Sequence, residues 1–190
     1  MKRMWNFARH FNTYGTLTSA VLACCAANVA HAEGMTINNA GFVDGHQLPL
    51  EYAGAGQCGG KNVSPAISWT HLPAGARSVV VTLKDPNGPK GTGVTHWLAY
   101  NIPSTVTSLP VGASESSPPD ITVGQNFSGA VEYRGPCPPV GDTPHHYILT
   151  VTATDLAPGA LPSGLDNSGL DAALKGHTLS GTSIVALYGR

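Results

Sequence analysis

The 190-residue sequence predicts a mainly β domain, a β-sandwich of antiparallel sheets with Greek-key connections and a short C-terminal helix. Three observations predict it. β-branched, apolar runs of strand length recur at regular spacing, Gly/Pro turns separate them, and only one stretch carries helix start and stop signals.

The domain begins after a segment of another kind. Lys2, Arg3 and Arg9 precede the apolar run from Leu17 to Ala30, and Ala30-His31-Ala32 closes it. A basic start, a short apolar stretch and an Ala-x-Ala end predict a signal peptide over residues 1–32, cleaved after Ala32, and a periplasmic or secreted protein. The run is shorter than the roughly 20 residues a membrane span needs. The alternative is a lipoprotein leader with Cys24 as the lipidated residue. Residues 33–190 then form one domain, large enough for a real core and undivided by a linker or repeat. They keep all 11 acidic residues but three fewer Lys and Arg than the whole chain, whose net charge is −1. No basic cluster remains to neutralise phosphates along a strand or on a bilayer, which argues against nucleic acid and an anionic membrane surface as partners.

Along the domain, Ile67-Ser68-Trp69 alternates as a strand should. Val79 to Leu83, His96 to Ile102 and Ile148 to Ala153 are continuous enough for strands buried on both faces, and Thr182 to Tyr188 reads as the closing strand. Leu72-Pro73-Ala74-Gly75, Asp85-Pro86-Asn87-Gly88-Pro89 and Ala157-Pro158-Gly159 supply turns. Val111 to Gly129, polar and rich in Ser and Pro, reads as a long surface loop. Leu170 to Gly176 is the helix, with Asn167 or Ser168 as its cap and Gly176 as its stop.

Two cysteines remain beyond the leader, Cys58 and Cys137. In an exported domain they most simply form one disulfide, worth about 4 kcal/mol by chain entropy. It would tie the Gly-rich segment 54–60 to the Pro-rich one around Cys137. The rival reading is a catalytic or metal-binding thiol, for which neither has a Cys-x-x-Cys partner.

That second segment, Tyr133-Arg134-Gly135-Pro136-Cys137-Pro138-Pro139-Val140-Gly141, has little backbone freedom, and its prolines bar it from helix and central strand. It leads to His145-His146-Tyr147 at the start of a strand, a stiff loop delivering imidazoles to a sheet edge. Strand alternation sends His145 and His146 to opposite faces, so at most one reaches a given pocket. Asp85 before Pro86 and His96 before Trp97 taken singly are a turn carboxylate and a core histidine. His46, His71 and His177 lie near turns without evident partners and read as surface residues.

Together these pieces resemble the phosphatidylethanolamine-binding protein (PEBP) family, in its bacterial Raf-kinase-inhibitor-like, YbhB/YbcL-type branch. The resemblance rests on Cys58-Gly-Gly-Lys-Asn62-Val-Ser64-Pro65, Ser68-Trp69, Asp85-Pro86-x-x-Pro89 and His96-Trp97-x-x-x-Asn101-Ile102-Pro103. It continues through Tyr133-x-Gly135-Pro136-Cys137-Pro138-Pro139-x-Gly141, His145-x-Tyr147 and Leu170-x-x-Ala173-Leu174-x-Gly176-His177. It implies a β-sandwich with a small anion-binding cavity near one end, formed here by Asp85, Pro89, His96, Gly135, Cys137, Pro139, His145 and Tyr147. Imidazoles and backbone N–H groups would hold the anion, Gly135 would let a ligand approach the backbone, Asp85 would orient or charge a histidine, and Tyr147 would add a hydroxyl. Where the family has Asp-Pro-Asp-x-Pro, this chain has Asn87, making the pocket less acidic or simply holding the turn. Pro144 falls in a stretch of variable length, so His145 is placed by counting back from Tyr147.

The sequence lacks a Gly-x-Ser-x-Gly elbow, a P-loop and a second pocket carboxylate at position 87. Asp85, His96 and His145 could compose a two-His-one-carboxylate metal set, but the resemblance gives a metal no support. The expectation is a non-catalytic module without cofactor or metal, binding a small anion or phosphorylated head group such as phosphate or phosphoethanolamine. It is not expected to be an integral membrane protein. The alternatives are a protein-interaction or inhibitor role toward a protease, envelope or host partner, and a hydrolase using the same pocket. Were His96 or His145 to bind as imidazolium, affinity would fall as pH rises through about 6.5.

Overall fold

The computed structural model describes Met1, residues 34–116, Pro118 and residues 121–190. Apart from Met1, the leader, its cleavage point and Cys24 lie outside the described residues. Two sheets carry the fold. One has three strands in the order β1 (Thr36–Ala40), β3 (Ile67–Thr70), β6 (Ser108–Leu109). The other has six: β2 (His46–Gln47), β9 (Thr178–Tyr188), β8 (His145–Thr154), β4 (Ser78–Asp85), β5 (Val94–Pro103) and β7 (Thr122–Val123). The long connection from β5 to β8 returns the chain beside β4, the Greek-key crossover expected of a sandwich. One pair departs from the antiparallel rule, since β2 runs parallel to β9.

Central position explains the continuous apolar runs. β4 is paired on both edges, to β5 and to β8. Val79, Val81, Leu83, Trp97 and Ala99 face the main core, which includes Ile67 and Trp69 of the smaller sheet. Their neighbours Val80, Leu98 and Tyr100 form a second cluster with Leu170 of the C-terminal helix. Both faces of β4 and β5 are therefore dry. On β8 the expectation of two-sided burial fails: Tyr147, Leu149 and Val151 are buried while Ile148, Thr150 and Thr152 are only half-buried. The second-face cover, drawn from Leu161, Leu165, Leu170 and Leu174, is gathered over β4 and β5.

The helix spans Asn167–Leu174, and its cap is neither Asn167 nor Ser168. Asp166 is the cap: its backbone is extended and its carboxylate accepts the Gly169 N–H at 2.8 Å. The C-cap is Lys175, one residue before the expected glycine.

The segment 111–129 is also more than a surface loop. It contains a single helical turn at Ala113–Ser116 and the strand β7, and Ala113, Ser114, Val123 and Asn126 are buried. Its polar residues misled the composition argument because they are satisfied internally. The buried Ser64 hydroxyl donates to Glu115 Oε2 at 3.1 Å and accepts the Ser114 N–H at 3.0 Å. Ser114 Oγ in turn accepts the N–H of Tyr133 at 2.8 Å. A chain of hydrogen bonds thus leads from the Ser64 motif to the first residue of the Pro-rich segment. Ser64→Ala is expected to cost about 1–3 kcal/mol, because the buried Ser114 N–H loses its acceptor. Urea denaturation of the two proteins measures it, and a loss under about 0.5 kcal/mol would show the network to be incidental.

Candidate functional site

The eight residues expected to line a pocket do converge on one cavity, of about 480 Å³. β4 contributes Asp85 at its C-terminal end, and the helical turn Gly88–Gly91 contributes Pro89. β5 contributes His96, the Pro-rich segment Gly135, Cys137 and Pro139, and the N-terminal end of β8 His145 and Tyr147. A more open groove of about 780 Å³ adjoins it and shares Asp85, Val94 and Phe127, but none of the histidines line it. The imidazoles belong to the smaller cavity.

The carboxylate of Asp85 is buried and doubly engaged. Its Oδ1 accepts the Asn87 N–H at 2.8 Å, and its Oδ2 accepts Nδ1–H of His145 at 2.8 Å. The turn carboxylate and the orienting carboxylate are thus the same residue. His145 Nε2 lies 3.7 Å from Asp142 Oδ2. Its ring stacks near that of Tyr147, and His96 meets Tyr147 edge-on at 5.3 Å. Burial, reinforced by the nearby Asp85 charge, raises the Tyr147 phenol far above its ordinary range, so it stays a neutral O–H donor.

His96 differs from His145 in being held by backbone. Its Nδ1 lies 2.6 Å from the Arg134 carbonyl, and the Arg134 N–H donates back to the His96 carbonyl at 2.9 Å. Its Nε2 is buried and has no hydrogen-bond partner among the described residues. Desolvation lowers its pKa, outweighing the hydrogen bond to Arg134 and the charge of Asp85, which act in the other direction. Burial thus favours the neutral form of the His96 ring.

His146 falls on the opposite face, as alternation requires, and is exposed. It is not idle: Asn87 Oδ1 accepts both its N–H at 2.9 Å and its Nδ1–H at 3.0 Å. Asn87 therefore ties the turn after β4 to β8, the holding role among the two considered. His46 and His71 are exposed and bonded locally. His177 does have a partner, Asp155, at 2.8 Å.

Gly135 is required for a reason other than ligand approach. A Cβ there would lie 2.5 Å from both Ala53 C and Gly54 N. Its N–H is already taken by Asn62 Oδ1 at 2.8 Å. The Pro-rich segment packs backbone to backbone on residues 52–54, and only glycine permits that distance. The disulfide Cys58–Cys137 joins the same two segments, which removes Cys137 from thiol chemistry. Among the described residues, no three His, Cys, Asp or Glu side chains are grouped to hold a metal ion.

The comparisons with known proteins agree with this architecture. A family model described as phosphatidylethanolamine-binding protein matches residues 38–189. The chain belongs to the phosphatidylethanolamine-binding protein family. Among its PEBP relatives, YbcL of Escherichia coli K12 is 36% identical over 173 residues, 88% of this chain and 91% of that protein. YbhB of the same organism is 34% identical over 149 residues, 76% of this chain and 94% of its own length. The crystal structure of E. coli YbcL, described there as a new member of the mammalian PEBP family, superposes with a TM-score of 0.75 at 33% identity. It covers 83% of this chain and 98% of that one.

Three side chains that matter to this PEBP cavity escaped the sequence reading. Arg134 lines it and lies over the Phe127 ring at 5.2 Å, and Phe127 meets His96 edge-on at 5.3 Å. Arg134 was inside the Pro-rich motif and could have been singled out as its only cation; Phe127 lay in the supposed loop. Arg190 lies outside every motif, yet donates to Pro138 O at 2.7 Å and Gln57 O at 2.8 Å, bridging the same two segments as the disulfide. Gly135→Ala is expected to destabilise the fold by about 1–3 kcal/mol or more through backbone overlap. Thermal denaturation decides this: unchanged stability with weakened anion binding would restore the ligand-approach reading.

Proposed function

We propose that this chain is an exported, non-catalytic module whose cavity binds a small anion of the phosphate or phosphorylated head-group class. The observation that carries the reading is the buried, unpartnered Nε2 of His96 in a cavity where His145, Tyr147 and Arg134 also stand. A buried ring nitrogen left without a partner costs free energy that a polar ligand recovers. Arg134 supplies the positive charge and Tyr147 a neutral hydroxyl donor. Pro139 and Pro89 form stiff, exposed rims, so the cavity is largely preformed.

Non-catalytic binding is supported by what faces the imidazoles. Among the described residues the cavity lining contains neither Ser nor Thr, and its one cysteine is in a disulfide, so it offers no Ser or Thr hydroxyl or free thiol as nucleophile. Export is supported by the disulfide itself, which persists in oxidising compartments. Among the described residues no helix is long and apolar enough to cross a membrane.

Titration calorimetry with phosphate and with phosphoethanolamine tests the reading. Both are expected to bind the wild type, and His145→Ala is expected to weaken binding about tenfold or more, equivalent to about 1.4 kcal/mol. Absence of heat with either ligand, in protein shown folded by circular dichroism, would end it.

A further inference from the structure

The two ring nitrogens of His96 set a condition on the ligand that goes beyond its being an anion. Nδ1 lies 2.6 Å from a backbone carbonyl oxygen, which can only accept, so Nδ1 carries the hydrogen. In the neutral ring Nε2 is then a bare lone pair. It cannot donate to an anion; it can only accept from one.

The groups around the ring keep it in that state. Asp85 faces it from β4, His145 and the Tyr147 phenol from β8, and Arg134 from the Pro-rich wall, with the uncharged Phe127 ring against it. Asp85 favours a proton on His96, while Arg134 and His145 oppose one, and burial, the largest influence, opposes it as well. Asp85 has both oxygens committed elsewhere, to the Asn87 N–H and to His145. No described residue supplies the missing hydrogen to Nε2.

We infer that the cavity selects anions that bring a proton with them, phosphomonoesters and hydrogen phosphate, over anions of similar shape that have none, sulfate and phosphodiesters. The inference rests on the binding function proposed above. A phosphomonoester monoanion has one P–OH to place on Nε2 and unprotonated oxygens for Arg134 and Tyr147. Its second proton leaves near pH 6, so at neutral pH the bound state retains a proton that much of the free ligand has lost. Transfer of that proton to Nε2 on binding leaves the same total count. A phosphodiester or sulfate must instead recruit a proton from solvent onto a buried ring. Asp85 and Asp142 in the lining likewise favour a singly over a doubly charged ligand. An intact phosphodiester lipid and its free monoester head group are thereby distinguished at one atom.

The test compares phosphate with sulfate, and phosphoethanolamine with glycerophosphoethanolamine, by calorimetry on the full domain from pH 6 to 8. The proton-bearing partner of each pair is expected to bind about tenfold tighter or more at pH 6.5, and phosphoethanolamine affinity to fall about tenfold from pH 7 to 8. Repeating the phosphoethanolamine titration at pH 7.5 in buffers of different ionisation enthalpy is expected to show close to one proton taken up per ligand. His96→Gln, whose amide can donate, is expected to lose both the discrimination and the uptake. Should that variant not fold, the wild-type proton count decides alone. If phosphate and sulfate bind equally, or no proton is taken up, the proton requirement is overturned while anion binding stands. If none of the four ligands binds, the binding function falls and this inference with it.

Discussion

The site depends on one close approach, that of the backbone at Gly135 to the backbone at residues 52–54. No side chain fits between them, and the contact is held from several directions. Gly54 N–H donates to Pro136 O at 2.9 Å, Asn62 accepts the Gly135 N–H, and the Tyr133 hydroxyl donates to Tyr52 O at 2.6 Å. The disulfide and Arg190 add two further ties between the same segments. Because Arg134 sits between Tyr133 and Gly135, its carbonyl is held as firmly as theirs, and that carbonyl orients His96. The cavity wall and the tautomer of its buried histidine thus follow from one packing constraint.

The two histidines are prepared in different ways. His145 is oriented by a carboxylate that is itself held by the Asn87 N–H, with Nε2 toward Asp142. His96 is oriented by a neutral carbonyl and is itself buried. In both rings Nδ1 faces an oxygen acceptor, which leaves Nε2 as the nitrogen turned away from it.

Much of the site was legible before the structure, and the parts that were not share a cause. Asp85, His96, His145 and Tyr147 could be assigned to one pocket because their motifs resemble those of the PEBP family, while strand alternation separates His145 from His146. Gly135 was found but for the wrong reason, since a glycine's need is visible in sequence while its neighbour is not. Phe127 and the Ser64–Ser114–Glu115 network were hidden by polarity. Serine and proline in quantity read as solvated loop unless their partners are known, and here the partners lie about 50 residues away in sequence. Asp166 was passed over as cap for Asn167 because cap choice depends on where the chain turns from extended to helical.

By itself the sequence determined the sandwich class, the strands β4, β5, β8 and β9, the pairing of the two cysteines and the cluster of residues around one pocket. The class, the strands and the cysteine pairing follow from periodicity, turn chemistry and cysteine count, and the pocket cluster from the resemblance of its motifs to the PEBP family. Only the tertiary structure decided that Gly135 serves packing, that Arg134 and Phe127 line the cavity while Arg190 ties two of its segments, and that His96 is buried with Nε2 unpartnered among the described residues. Each of these is set by distance between segments remote in the chain and by exclusion of water, and neither quantity is written in the order of the residues.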